Sequence, residues 1–128
     1  MSAPARRTPP AAAAPAGPVP VSAAAQLHAV RQILGRPGMW LPAESFRAVD
    51  AAGQRLPCRR PQAVRFGVLA ALVRLAGPED GRQHAIACLV AAGAKPFLSA
   101  WDAEPARTED EVLALLDAAI GLAARGGP

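Results

Sequence analysis

Thr108-Glu109-Asp110-Glu111-Val112-Leu113-Ala114-Leu115-Leu116-Asp117-Ala118-Ala119-Ile120 is the stretch that decides the fold class. Thr108 is a residue type whose side-chain oxygen accepts from the free amides of a helix start. Glu111, three residues on, holds the reciprocal position of a capping box. The three acids Glu109, Asp110 and Glu111 complement the partial positive charge of a helix N-terminus. Val112, Leu113, Leu116, Ala119, Ile120 and Ala123 then recur at the spacing of one helical face. The pattern predicts a helix from Thr108 to about Ala124, with 126–128 fraying beyond it.

Upstream, the same signals recur. Residues 94–107 read as a loop carrying Phe97, Leu98 and Trp101. Before it, 79–92 reads as a helix with Ile86, Leu89 and Val90 inward, closed by Gly93 and Pro96. Pro61 suits the first turn of a helix running to about Ala76. The apolar residues Val64, Val68, Leu69, Leu72, Val73 and Leu75 cover more than one side of it, which predicts a central helix. Ser22 can cap a helix over 23–34 with Leu27, Val30, Ile33 and Leu34 on one face, stopped by Gly35 and the turn residues Pro37-Gly38. Between these helices, 45–57 changes character. Phe46 and Val49 precede Asp50-Ala51-Ala52-Gly53, which has Asp first and Gly fourth as a type I turn prefers, and Gln54 to Leu56 returns. A small β-hairpin is expected here, packed on helices because alone it is marginal.

Residues 1–21 differ from all of this. Pro9, Pro10, Pro15, Pro18 and Pro20 interrupt Ala and Gly, so the segment has little to bury against its ordering entropy. The expectation is a disordered Pro/Ala-rich arm at 1–21, a helical domain at 22–125 and a short tail at 126–128. The fold class is mainly α: a compact four-helix domain with a small β-hairpin. With 128 residues there is room for one domain. Three Phe, two Trp and no Tyr leave Leu, Val, Ile and Ala to build the core, as suits packed helices.

Composition also bounds function. Net charge is +4, and thirteen of the fourteen basic residues are Arg. Residues 22–76 hold eight Arg against Glu44 and Asp50, whereas 77–128 hold four basic residues against eight acids. The two halves either balance each other within the fold or present a basic face to an acidic or phosphate partner. Arg6-Arg7 is followed by no Leu-rich run, and Arg or Pro breaks every apolar stretch, so neither a signal peptide nor a membrane span is expected. A cytoplasmic protein with reduced thiols at Cys58 and Cys88 is the reading that follows.

Few residues suggest chemistry. His84 and Cys88 share a helical face at i, i+4, the spacing of a thiolate pair or half a metal site. Cys58 and His28 lack the companions a zinc site needs, so Cys88 reads as a small core residue, and no metal or cofactor is expected. The four serines (2, 22, 45, 99) lie outside any nucleophile-elbow context, and no phosphate-binding Gly loop is present. Two sets remain as candidate binding residues. Arg59-Arg60, with Arg55 and Arg65, form the densest basic cluster. Trp101-Asp102 lies in the loop before the last helix, where a large aromatic either anchors the loop or presents a surface. The leading expectation is a non-enzymatic protein-interaction or regulatory module using these two sets. The alternatives are a nucleic-acid-binding accessory protein using the basic half, with steep salt dependence, and an enzyme using His84/Cys88 or Asp102.

Ala63-Val64-Arg65-Phe66-Gly67-Val68-Leu69-Ala70-Ala71-Leu72 resembles the A-x-x-F-C-x-x-G-A-L signature of a family of small bacterial and phage proteins carrying a domain of unknown function. Trp101-Asp102-Ala103-Glu104-Pro105-Ala106-Arg107-Thr108, followed by Glu111-Val112-Leu113, resembles that family's W-N-D-x-P-x-R-T-x-x-E-V-L. The likeness spans roughly 27–123. This chain departs from the pattern at Gly67, Ala70 and Asp102-Ala103. The resemblance implies a shared fold and supplies no activity.

Overall fold

A computed structural model describes residues 19–42 and 47–127. Residues 1–18 of the arm expected at 1–21, Glu44 and the Ser45-Phe46 end of the expected first strand lie outside the described residues. In chain order the elements are α1 (Ala23–Leu34), β1 (Arg47–Val49), β2 (Arg55–Pro57), β3 (Arg65–Phe66), α2 (Val68–Arg74), α3 (Glu79–Ala92), α4 (Leu98–Asp102) and α5 (Glu109–Ala124).

Helices α1, α3 and α5 pack against one another, α2 lies against α1 and β3, and α4 bridges α2 and α3. Their shared core is aliphatic: Leu27, Val30 and Leu34 of α1, Leu72 of α2, Leu89 of α3 and Val112 and Leu116 of α5 are fully buried. Burial of such side chains contributes roughly 1.5–3 kcal/mol each, which is why a chain with five aromatics builds a core without more of them.

The helix ends follow the sequence signals. Ser22 Oγ accepts from the Ala25 amide at 3.1 Å. Thr108 and Glu111 close the capping box, with Thr108 N donating to Glu111 Oε1 at 2.9 Å and Glu111 N donating to Thr108 Oγ1 at 3.2 Å. Beyond α5, Gly126 and Gly127 turn back onto the helix. Gly126 N donates to Ala123 O and Gly127 N to Leu122 O, the paired bonds of a Schellman ending. At the other end of the domain, Val21 is tied down, its carbonyl accepting from the buried Gln26 side chain at 3.1 Å.

The hairpin forms. β1 pairs antiparallel with β2 (Ala48 opposite Leu56, Val49 opposite Arg55) around a turn in which Gly53 N donates to Asp50 O. Asp50 Oδ1 accepts from the Ala52 and Gln54 amides, both at 2.9 Å, so this acid serves its own turn. Gly53 at φ +85° supplies the left-handed residue that follows a type I turn in a three-residue hairpin loop.

Three expectations are corrected. The helix anticipated from Pro61 begins at Val68, and Arg65-Phe66 form a third strand, giving sheet order β2-β1-β3. Pro61 instead sits in consecutive turns, with Arg60 N donating to Pro57 O and Ala63 N to Arg60 O. The amides of Val64 and Phe66 are taken by Val49 O and Met39 O, so the backbone is held extended until Gly67. Second, the loop at 94–107 contains α4, giving five helices among the described residues. Third, α3 buries Ala85 and Cys88 together with Leu89, while Ile86 packs only partly against the core, so the face is turned toward its small residues. Small side chains let neighbouring helices approach closely at that face.

In the sheet, side chains alternate between two sides. Ala48 and Phe66 are buried and Leu56 is half-buried, packing inward. Val49, Arg55 and Arg65 share the opposite side: Arg55 and Arg65 both lie across from Val49, one on each neighbouring strand.

Candidate functional site

Two sets of residues stood out in the sequence, and the fold gives them opposite environments. Asp102 ends α4 and is completely buried. Its Oδ1 accepts from the Val68 amide at 2.9 Å and from Trp40 Nε1 at 3.3 Å, and its Oδ2 accepts from the Leu69 amide at 3.0 Å. These are the first two amides of α2, a helix whose own N-cap residue, Gly67, has no side chain to offer. Asp102 is therefore the cap of α2, supplied from thirty-four residues away. Burial pushes its carboxyl above the ordinary carboxylate range, opposed by the bonds from Val68, Leu69 and Trp40 and by the charge of Arg107.

Gly67 makes this possible. A Cβ there would stand 2.6 Å from Asp102 Oδ2, so only glycine admits the carboxylate to the helix end. Trp101 is buried beside Asp102 at 8% exposure. The Arg107 guanidinium lies over its ring at 4.0 Å, donates through Nε to the Trp101 carbonyl at 3.3 Å and pairs with Glu111 at 3.8 Å. Trp101 and Asp102 thus join α4, α2 and the start of α5, and both are buried, as the anchor alternative for Trp101 has it.

The basic set is on the surface. Arg55, Arg59, Arg60 and Arg65 are all exposed. Arg55 and Arg65 flank Val49 on the outer side of the sheet, roughly 10 Å apart from the spacing of adjacent strands. Arg59 and Arg60 lie in the turn after β2. That turn is clasped to the end of α2: Arg59 Nε donates to Val73 O at 3.1 Å, and Arg74 donates back to Cys58 O at 2.6 Å and Arg60 O at 2.9 Å. Arg74 also lies over Phe66 at 5.1 Å. Arg59 satisfies a terminal helix carbonyl, and Arg74 fixes the backbone that carries Arg59 and Arg60. The role of Arg74 was not readable in the sequence, where it is simply the last basic residue of a helix.

The clasp holds the turn that carries Arg59 and Arg60, and strand pairing holds the backbone of Arg55 and Arg65. Among the described residues, Arg55, Arg60 and Arg65 make no ion pair, while Arg31 pairs with Asp117 at 2.9 Å and Arg107 with Glu111. The acids of the C-terminal half that are described therefore do not neutralise this cluster by contact. Residues 47–74 hold six arginines against Asp50 alone, whose carboxylate is engaged in its own turn.

The Cys–His pair lies elsewhere. Cys88 is fully buried, and its thiol donates to the Gly127 carbonyl at 3.1 Å. His84 Nε2 reaches the same oxygen at 3.2 Å, as a donor in the tautomer that carries its proton there. Burial raises the pKa of Cys88, which disfavours a thiolate. Cys58 is also buried and raised by burial, against the lowering charges of Arg59 and Arg74. Both cysteines are free thiols. Among the described residues, no three or more His, Cys, Asp or Glu are grouped to hold a metal ion. No helix among them is long and apolar enough to cross a membrane.

No curated protein and no solved structure matches the chain. The sequence model of DUF6197, a family of unknown function, matches residues 18–122. That span begins just before the segment held by Gln26 and ends within α5, so it takes in the Asp102 cap, the clasp and the sheet together, and the chain belongs to this family.

Proposed function

We propose that this chain is a non-enzymatic binding module that recognises a polyanionic partner through the outer side of its sheet and the turn after β2. The observation that carries this reading is the exposure of Arg55, Arg60 and Arg65 without an ion pair among the described residues, on a backbone fixed by the Arg59–Arg74 clasp. A charge left unpaired on a rigid surface is available to a partner and loses little side-chain backing when one arrives. The Trp101-Asp102 pair is assigned a structural role in this reading, because both carboxylate oxygens of Asp102 already accept bonds inside the fold and the Trp101 ring is buried beneath Arg107. Enzymatic use of Cys88 or Asp102 has weak support: the thiol is held neutral, and the carboxylate accepts three N–H bonds in the core.

Retention on immobilised heparin, a generic polyanion, tests the reading. The native chain should be retained, and the variant R55E/R60E/R65E should elute at markedly lower salt. R36E, a reversal in the turn after α1, should elute close to the native chain after its own charge change is allowed for. Equal retention of the triple variant and R36E would sink the proposal. A far-ultraviolet spectrum matching the native chain would confirm that the triple variant is folded.

A further inference from the structure

We infer that the partner of this surface is the phosphate backbone of a double-stranded nucleic acid, bound without base readout; the inference rests on the binding role proposed for the arginine face. Three features of the surface favour this partner.

The first is what the face lacks. Protein interfaces carry an apolar core rich in aromatic side chains, whereas nucleic-acid interfaces are polar and strongly positive. Between Arg55 and Arg65 stands only the half-buried Val49, while Leu56 and Phe66 turn inward. Among its described residues, the sheet therefore offers charge without an apolar centre.

The second is the closed edge. An acidic peptide could add to a sheet as a further strand; of the two outer strands, β3 is covered by residues 39–41, whose Leu41 amide and Met39 carbonyl bond Phe66, so β2 is the open edge. Pro57 has no N–H to donate, and its carbonyl already accepts from the Arg60 amide. Pairing is blocked along half of a three-residue strand, so recognition falls to the side chains of the face.

The third is the chemistry of the donors. Each basic group of the face is a guanidinium, the planar fork that matches phosphate oxygens two at a time. Unpaired strands are held by stacking on exposed aromatics. Among the described residues, the aromatics beside this cluster, Trp40 and Phe66, are buried, with Arg74 over the Phe66 ring. A duplex, whose bases are already stacked and whose phosphates face outward, suits a face of exposed guanidinium groups carried on strands and a clasped turn. Arg55 and Arg65 flank β1 while Arg59 and Arg60 extend the surface past the end of β2, so contacts to three or four phosphates are expected.

Fluorescence anisotropy of a labelled mixed-sequence duplex, titrated with the full chain, tests this. DNA and RNA duplexes are run as separate arms, since either presents the phosphates. Binding should be insensitive to sequence. The plot of log K against log salt should have a slope of about −3, from some 0.9 per neutralised phosphate. R55Q, R60Q and R65Q should each flatten the slope by about 1 and weaken binding several-fold at low salt. A single strand should bind less tightly than the duplex. Several results would overturn the inference: no duplex binding at low salt, tighter binding to polyglutamate or to the single strand, or self-association at low salt in place of duplex binding. If heparin retention still depends on Arg55, Arg60 and Arg65, these results overturn the partner alone. Loss of that dependence removes the binding surface itself. Unchanged duplex affinity in R55Q/R60Q/R65Q would place the contact elsewhere and overturn the inference too.

Discussion

The Asp102 cap and the arginine face are built from polar residues of comparable prominence in the sequence, yet one is sealed and the other open. At the cap, every charge has its partner within the fold: Asp102 is met by Val68, Leu69 and Trp40, and Arg107 by Trp101 and Glu111. At the face, Arg59 and Arg74 are engaged with backbone carbonyls, and Arg55, Arg60 and Arg65 stand out from that frame with no ion pair among the described residues. Satisfaction inside the fold, rather than residue type, separates a polar group that holds structure from one that is free to bind. Variants in the two regions should therefore split: cap variants change stability, and face variants change binding.

The largest effect is expected at the cap. Asp102→Ala strands the first amides of α2 and the indole N–H of Trp40 in the core, and should cost about 3 kcal/mol in chemical denaturation, since an orphaned buried donor costs roughly 1–3 kcal/mol and some relaxation follows. A loss near zero would mean that the carboxylate is not what holds α2. Gly67→Ala should cost less, about 2 kcal/mol, because the added methyl displaces Asp102 without removing it. If the Gly67→Ala loss disappears in an Asp102→Ala background, the two positions act through the same contact, as the structure requires.

A smaller effect concerns pH. Because burial raises the Asp102 pKa in the folded chain above its unfolded value of about 3.9, the folded state holds this proton more tightly. The contribution is fully present below about pH 4 and is lost as pH rises through the folded pKa, above which it stays level. Asp102→Asn should flatten that part of the stability–pH curve, whatever its constant offset. A carboxyl titration by NMR with a midpoint below the unfolded value would reverse the sign and contradict the burial argument. The smallest effect is expected on the face: R55Q/R60Q/R65Q should shift stability by no more than about 0.5 kcal/mol, as exposed substitutions do, while heparin retention falls. A large loss of stability would mean that these arginines are structural, as Asp102 is.

Which parts were legible in the sequence follows from how far each signal reaches. The α5 start at Thr108, the α1 cap at Ser22 and the Asp50–Gly53 turn are closed by partners three or four residues away, and each was readable. The start of α2 is closed by Asp102 across thirty-four residues, and no local pattern carries that information. Without it, Pro61 offered a plausible helix start. The two residues of β3 are too few to display a period of two, and the five of α4 follow Phe97, which is no cap residue. For the candidate site, the arginine cluster was visible as composition, since its density needs no tertiary information. Its sidedness came only with the strand register that sets Arg55 and Arg65 about Val49. The burial of Trp101 fits the loop-anchor reading that the sequence offered, whereas that of Asp102 was hidden because a loop carboxylate reads as surface until α4 and α2 are placed together.

One spectrum can examine both regions at once. In a titration of the labelled chain with a short sulfated oligosaccharide, the guanidinium Nε–H signals of Arg55, Arg60 and Arg65 should shift with saturation. The indole N–H signals of Trp40 and Trp101 should stay in place, because they report on the sealed node. Movement of the indole signals with fixed arginine signals would contradict the account, placing recognition at the Trp101-Asp102 node and leaving the basic face as solvated charge.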